Sequence, residues 1–327
     1  TGISAKDYMD GTSNFYGVHS VTLYVDSVQV FNSTTDKVLP DENRMINGFT
    51  DYEELTRTRR LIMRSYKLPG NRLRLLHTNE NRGAATIDEE RDYHFRYVLE
   101  DNFGNRRTYQ FIVKGKRQDI PEYKPEANEM LYWNQTNVIQ KPGMELVVPR
   151  YYVYEDVPLR TDMRGDSSRI AFDYILDAGR TPIHSYCDLS IGLRHMPVAD
   201  TTKYYIVQKA GKWRSSMGGK YASGWIKTRV RSLGTFSVDV DTIAPQITPI
   251  GQGRWRTSRN IRFRIKDMES GIGSYKVYID GKFVLFGLKK GILVIQDPEK
   301  VKKGVPHKLE VTVTDQCGNM ARKEYKF

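Results

Sequence analysis

One strand occurs twice in this chain, and that recurrence constrains the fold more than any bulk property. Residues 17–26, GVHSVTLYVD, parallel residues 271–280, GIGSYKVYID, with Gly, Ser, Tyr and Asp in the same places and apolar residues alternating between them. Alternation of this kind marks a half-buried strand, because successive side chains leave opposite faces. A second pair follows each copy: YVLEDNFGN at 97–105 and VTVTDQCGN at 311–319. Both carry Asp-x-x-Gly-Asn, which is hairpin-turn chemistry, at Asp101, Gly104 and Asn105 and at Asp315, Gly318 and Asn319. Upstream, ISAKD at 3–7 matches FRIKD at 263–267, so three landmarks recur in one order and predict two homologous β domains.

The copies differ in length. The stretch from Gly17 to Asp101 exceeds that from Gly271 to Asp315 by about 40 residues. Within this excess, Thr50 and Glu53 read as a capping box, Tyr52, Leu55, Ile62, Met63 and Tyr66 recur near helical spacing, and Leu68-Pro-Gly70 stops the run. A helix over 51–66 is expected, covering a sheet. Between the copies, Met144–Pro149, Tyr151–Tyr154, Tyr204–Val207, Trp225–Val230 and Thr235–Val240 read as further strands. Pro121 and Pro125 flank the start of this stretch, and DTIAP at 241–245 ends it. At 327 residues the chain exceeds one ordinary core. The expectation is a mainly β chain of tandem immunoglobulin-like β-sandwich domains: 1–117 with the helical insertion, a middle sandwich at 118–240, and 241–327. The final copy has residues 245–262 ahead of its FRIKD strand while the first copy starts almost at ISAKD, so the first sandwich is expected to lack its first strand and the chain to be the downstream part of a longer, exported protein.

Lys and Arg number 51 against 39 Asp and Glu, a net charge of +12. That attracts polyanions at long range. The cations at 57, 59, 60, 72, 74, 212, 214, 229, 231, 254, 256, 262 and 264 fall mostly on alternate strand positions, as on solvated faces, and no nucleic-acid motif accompanies them. An anionic cell-wall polymer is therefore the expected partner, nucleic acid is not, and no run is apolar enough to span a bilayer. The two cysteines, Cys187 and Cys317, fall in different domains and are not expected to pair.

DTIAP at 241–245, ESGI at 269–272, YIDG at 278–281 and VTDQCGN at 313–319 resemble bacterial immunoglobulin-like modules of exported proteins. More narrowly, residues 2–25, with YWNQ at 132–135, VPRYYVYED at 148–156 and GWIKTRVRSLGTF at 224–236, resemble the region that follows the catalytic domain in lysostaphin-like M23-family zinc metallopeptidases of Bacteroides-type bacteria. The resemblance spans nearly the whole chain. It implies a peptidoglycan endopeptidase whose zinc is held by His-x-x-x-Asp and His-x-His. The histidines here are His19, His77, His94, His184, His195 and His307, and no two are separated by one residue. His184 and Asp188 have the first spacing, but an open catalytic zinc needs three protein ligands. Catalysis and zinc are thus expected in an upstream domain, in the periplasm or cell envelope. A Gly-x-Ser-x-Gly elbow and a phosphate loop are both missing, and Trp133, Trp213, Trp225 and Trp255 are expected in cores rather than on a sugar platform.

The expected function is a spacer or docking region of such a peptidase, with a stand-alone adhesion or carbohydrate-binding protein as the alternative. Alternate loops of a seven-strand sandwich share a pole, which would gather Asp241, Asp267, Glu269 and Asp315 at the boundary of the second and third domains. Hard oxygen ligands there would suit calcium, or each acid caps its own turn. Asp7, Asp10 and Asp101 are the equivalents in the first copy. Because attraction to wall polymer is electrostatic, co-sedimentation with insoluble peptidoglycan should fall steeply as salt rises.

Overall fold

Apolar alternation decides which side of each repeated strand is inside. Val21, Leu23 and Val25 are buried along one copy, and Val277 and Ile279 along the other. The computed structural model describes residues 1–122, 126–166 and 168–327; Pro125 lies outside the described residues. The chain is mainly β, with antiparallel sheets in three successive groups.

The last group is the simplest. One sheet runs Gln246–Ile250, Arg262–Lys266, Ile292–Ile295, Phe286–Lys289, and the other runs Lys282–Phe283, Ile272–Ile279, Lys308–Asp315, Met320–Lys326. These orders are A-B-E-D and C′-C-F-G, the arrangement of an immunoglobulin-like sandwich. Phe263, Ile265, Val277, Leu293, Leu309 and Val311 fill the space between the sheets. Trp255 closes one end, fully buried, with its indole N–H donating to the Ile250 carbonyl at 2.9 Å.

The middle group is a larger sandwich. Its six-stranded sheet runs Glu129–Leu131, Val157–Arg164, Asp173–Asp177, Gly234–Val240, Tyr204–Ala210, Trp213–Ser216. Its five-stranded sheet runs Asn137–Lys141, Met144–Val148, Cys187–Gly192, Trp225–Val230, Lys220–Ala222. Leu146, Leu159, Leu176, Leu189, Ile206 and Phe236 meet between them with no exposed surface.

The first group departs from the expected sandwich. Its five-stranded sheet, Leu76–Thr78, Val28–Thr34, Ser20–Val25, Asp92–Glu100, Arg106–Lys114, contains the repeated strand and hairpin. Besides this sheet the unit has the two-residue pairing of Gly2–Ile3 with Met63–Arg64, extended by a single bridge from Met63 to Thr50. The insertion supplies the missing cover: Met45, Leu68 and Leu73 are buried against Leu23, Phe31 and Phe95, and Ser65 Oγ lies 2.6 Å from the buried Tyr97 hydroxyl. Of the helix expected over 51–66 only Tyr52–Thr58 is helical, with a separate four-residue helix, Ile46–Phe49, ahead of it. Asp51, not Thr50, is the N-cap, accepting from Glu54 N at 3.0 Å. Arg59 enters the left-handed region at φ 67° and ends the helix, after which Met63 and Arg64 are taken by the strand pairing.

The repeat is as close in hydrogen bonding as in sequence. Asp26 and Asp280 take φ of 48° and 50° at the ends of equivalent strands. Asp26 Oδ1 accepts from His94 N at 2.8 Å, and Asp280 Oδ1 from Lys308 N at 2.9 Å, each tying its turn to the next strand of the sheet.

Glu42 fastens the insertion to the sheet edge. Arg74 donates to Oε1 at 2.6 Å and to Oε2 at 3.2 Å, and Leu39 N donates to Oε2 at 3.0 Å. The Arg74 bond foremost holds this carboxyl at about 2, below its ordinary 4.5. A carboxyl whose folded value is depressed stabilises above its unfolded value and loses that contribution as pH falls towards the folded one. Glu42→Gln should therefore lower stability at neutral pH and flatten the loss between pH 4.5 and 2, as read by urea unfolding across that range.

Candidate functional site

The two Asp-x-x-Gly-Asn turns are built alike. Asp101 Oδ1 accepts from Phe103 N and Asn105 N at 2.8 and 2.9 Å, and Oδ2 from Asn105 Nδ2 at 2.7 Å. Asp315 Oδ1 accepts from Cys317 N and Asn319 N, both at 2.8 Å, and Oδ2 from Asn319 Nδ2 at 2.7 Å. Gly104 and Gly318 take φ of 85° and 79°, where a side chain would be strained.

Burial separates them. The Asp101 turn is exposed, and the Asn105 side-chain bond lowers its carboxyl. Asp315 is only 4% exposed, and desolvation raises its carboxyl despite the same donors, with the Asp241 charge adding to the rise. Position in the fold, not sequence, sets the opposite directions.

What buries Asp315 is the junction of the second and third units. Asp241, 1% exposed, closes the last strand of the middle sandwich. Its Oδ2 accepts from Ser270 N and Oγ at 3.0 and 2.6 Å, and its Oδ1 from Ile243 N and Asn319 Nδ2 at 2.9 and 3.3 Å. Asn319 Nδ2 also donates to the Asp241 carbonyl at 3.0 Å. One amide thus links a linker residue to a hairpin of the final sandwich. Lys203 Nζ donates to the Cys317 carbonyl at 3.0 Å, and Tyr205, Val207 and Cys317 form a buried apolar seal beside the acids. Burial pushes the Cys317 thiol up to about 11.

Of the four acids expected to converge, three do. Asp241, Asp267 and Asp315 present oxygens within 4.8 Å of one another. Glu269 is the exception: its carboxylate accepts from the Tyr205 hydroxyl at 3.3 Å, because the loop turns it towards the middle sandwich. Asp267 Oδ2 accepts from Glu269 N and Gly271 N at 3.1 and 2.6 Å. Oxygen ligands at this spacing have the chemistry of a calcium site. Yet every oxygen of Asp241 and Asp315 already accepts a hydrogen bond, so turn capping accounts for the cluster without an ion. In the first copy Asp7, Asp10 and Asp101 line one cleft with Tyr8, Tyr16 and Phe103, but form no three-ligand group among the described residues. Lys203, whose ammonium reaches the Cys317 carbonyl, had no signal in the sequence, and Ser270 entered it only as part of ESGI at 269–272.

The other expected positions resolve plainly. Tyr154 sits between strands of the middle sandwich but is buried in the first unit's core. Its hydroxyl donates to the Arg44 carbonyl at 2.7 Å and lies 3.1 Å from His184 Nδ1. The hydroxyl has one proton and spends it on Arg44, so His184 Nδ1 is the donor to it. Burial, with the Arg72 and Arg44 charges behind it, lowers the His184 value and keeps the ring neutral. Asp188 instead lies exposed on the strand Cys187–Gly192, and neither residue belongs to a three-ligand group among the described residues. Cys187 and Cys317 are unpaired. Trp255 is core and Trp133 packs against the middle core, but Trp213 is 81% exposed, on an edge strand of the six-stranded sheet.

A family model described as the Zu5-like domain matches residues 128–241, the middle sandwich. No curated protein sequence matches the chain. Among solved structures, one described as "Ca2+-stabilized adhesin helps an Antarctic bacterium reach out and bind ice" aligns at 10% identity and a TM-score of 0.19, over 96% of this chain and 91% of that one. Another, "Structural insight into host cell surface retention of a 1.5-MDa bacterial ice-binding adhesin", aligns at 10% identity and a TM-score of 0.16, over 96% and 86%. Scores this low do not establish a shared arrangement of sheets. Among the described residues, no helix is long and apolar enough to cross a membrane.

Two measurements follow from the junction. Asn319→Ala removes donors from two buried carboxylates and should cost about 1–3 kcal/mol in urea unfolding, whereas Asn105→Ala, in the exposed copy of the turn, should cost less. Thermal melts in calcium and in chelator should coincide; a clear rise with calcium would assign the ion to Asp241, Asp267 and Asp315.

Proposed function

We propose that this chain is a non-catalytic, stiff binding module of the cell envelope, an adhesion-type protein whose β units hold surfaces at fixed separations against an anionic wall polymer. The observation that carries this reading is that both junctions are buried and hydrogen-bonded. At the first, Tyr154 fills the core of the preceding unit, Gly70 N donates to its carbonyl at 2.7 Å, and a Cβ on Gly48 would lie 2.7 Å from its ring. At the second, the Asp241 carboxylate ties Ser270 to Asn319. Tandem domains joined by flexible linkers lack such contacts and move independently by default. Units fixed in this way transmit force and keep their distance, which is what adhesion and spacing require. The Zu5-like match covers the middle unit, and the net charge of +12 favours a polyanionic partner.

A second reading is favoured by the likeness of residues 2–25 to the region after an M23-family catalytic domain. The same stiff unit would then space and dock a zinc endopeptidase upstream of it. On both readings the isolated chain is expected to release no soluble peptide from peptidoglycan and to carry no stoichiometric zinc.

Small-angle scattering tests the stiffness. The chain should fit one fixed arrangement of its units, and Asp241→Ala or Tyr154→Ala should broaden the distance distribution. A wild type that already scatters as three independent bodies would remove the basis of the proposal.

A further inference from the structure

The cations of this chain read in sequence as a scattered set, but one face of the middle sandwich concentrates them. Lys220 and Lys227 are direct cross-strand partners at the edge of the five-stranded sheet, and both are exposed. Like charges directly opposite each other destabilise a sheet. Neither ammonium has an ion pair among the described residues, so nothing internal offsets the repulsion. Arg229 follows Lys227 on the same face, and Arg231 lies just beyond the strand end. Their guanidinium carbons sit 5.4 and 5.0 Å from the ring centroid of Tyr186. That stacking fixes two otherwise floppy side chains with their donors free, and neither makes an ion pair among the described residues.

A depression of about 530 Å³ lies here, lined by Tyr186, Gly219, Lys220, Lys227, Thr228 and Arg229. Gly219 shapes its rim at φ 148°, where a Cβ would lie 2.5 Å from Ile226 Cγ2. The acid nearest in the ladder is Asp188, cross-strand partner of Arg229; the position opposite Lys227 is Ser190, and Glu145 beyond it accepts from Gln140 at 2.9 Å. Four cations therefore face two carboxylates, Asp188 and Glu145, and this face keeps a net positive charge.

We propose that Lys220, Lys227, Arg229 and Arg231, with Tyr186 as their support, form a binding site for an anionic polysaccharide, one bearing carboxylate or phosphate groups along its length. The proposal rests on the envelope-adhesion reading and gives it a ligand and an address. Alternate residues on a strand advance about 7 Å, on the order of one sugar unit, so a charged glycan lying along the strand meets successive cations. Guanidinium forks match carboxylate and phosphate bidentately. Single-stranded nucleic acid is disfavoured because it needs free aromatic faces for stacking, and those of Tyr186 are occupied by arginine.

The test is equilibrium binding of the full chain to polygalacturonate and to poly(glycerol phosphate), which separates the carboxylate from the phosphate source, with dextran and a thymidine oligonucleotide for comparison. The chain should bind at least one polyanionic glycan at low salt and lose it at high salt. Lys220→Gln/Lys227→Gln and Arg229→Gln/Arg231→Gln should each weaken binding about tenfold. Lys266→Gln/Lys289→Gln, which removes the same charge from the final unit, should not. Lys220→Glu should weaken binding about as much as the double lysine variant while raising the melting temperature, since it turns a like-charge pair into an opposite one. Equal loss in the Lys266/Lys289 control, retention in Lys220→Glu, or preference for the oligonucleotide would overturn this site while leaving the adhesion reading standing. A wild type that binds neither glycan but sediments with envelope fragments would also overturn the site alone, and one that does neither would take the adhesion reading with it.

Discussion

A buried carboxylate is tolerable only when donors replace the water it has lost, and the Asp241–Asp315 junction is organised by that constraint. Ser270 and Asn319 supply the donors from two loops of the final sandwich, while the linker supplies Asp241. If Asp241 moved away with the middle sandwich, its oxygens would lose the Ser270 and Asn319 donors, whereas Asp315 keeps the donors of its own hairpin. The orientation of the final unit therefore follows from hydrogen-bond accounting more than from the apolar seal of Tyr205, Val207 and Cys317 beside it.

The other junction reaches a similar end by apolar means. Tyr154 leaves its own sandwich and completes the core of the preceding unit, whose second sheet is reduced to a two-residue pairing and a single bridge. Its hydroxyl is satisfied by Arg44 and His184, so the ring is buried without a polar penalty. His184 thereby becomes a structural donor at an interface, while Asp188 lies exposed on the strand Cys187–Gly192. Two different devices, a polar knot and an aromatic plug, thus lock successive units and leave the outer sheet faces free to carry charge.

Much of the β architecture was legible. The period-two pattern placed the strands of the repeat, and Asp-x-x-Gly-Asn marked its hairpins and the acid that caps each, because those bonds span at most four residues. The helix over 51–66 was over-read because Met63 spends its backbone on a strand far away in sequence. That the insertion covers a sheet was legible, but not that it stands in for most of a second sheet, since such cover leaves no periodic signature.

Turn chemistry and strand alternation are local properties, so the sequence by itself determined the repeat, the mainly β class and the acids that cap each turn. Whether a capped acid is wet or dry is not local. Asp101 and Asp315 share a motif and a hydrogen-bond pattern, yet their carboxyls shift in opposite directions, since only one lies beneath a neighbouring domain. Likewise the alternation of Arg229 and Arg231 was readable, but the register that sets Lys220 against Lys227 and brings both arginines to Tyr186 was not. Burial and charge density depend on which distant segments pack together, and only the tertiary structure decides that.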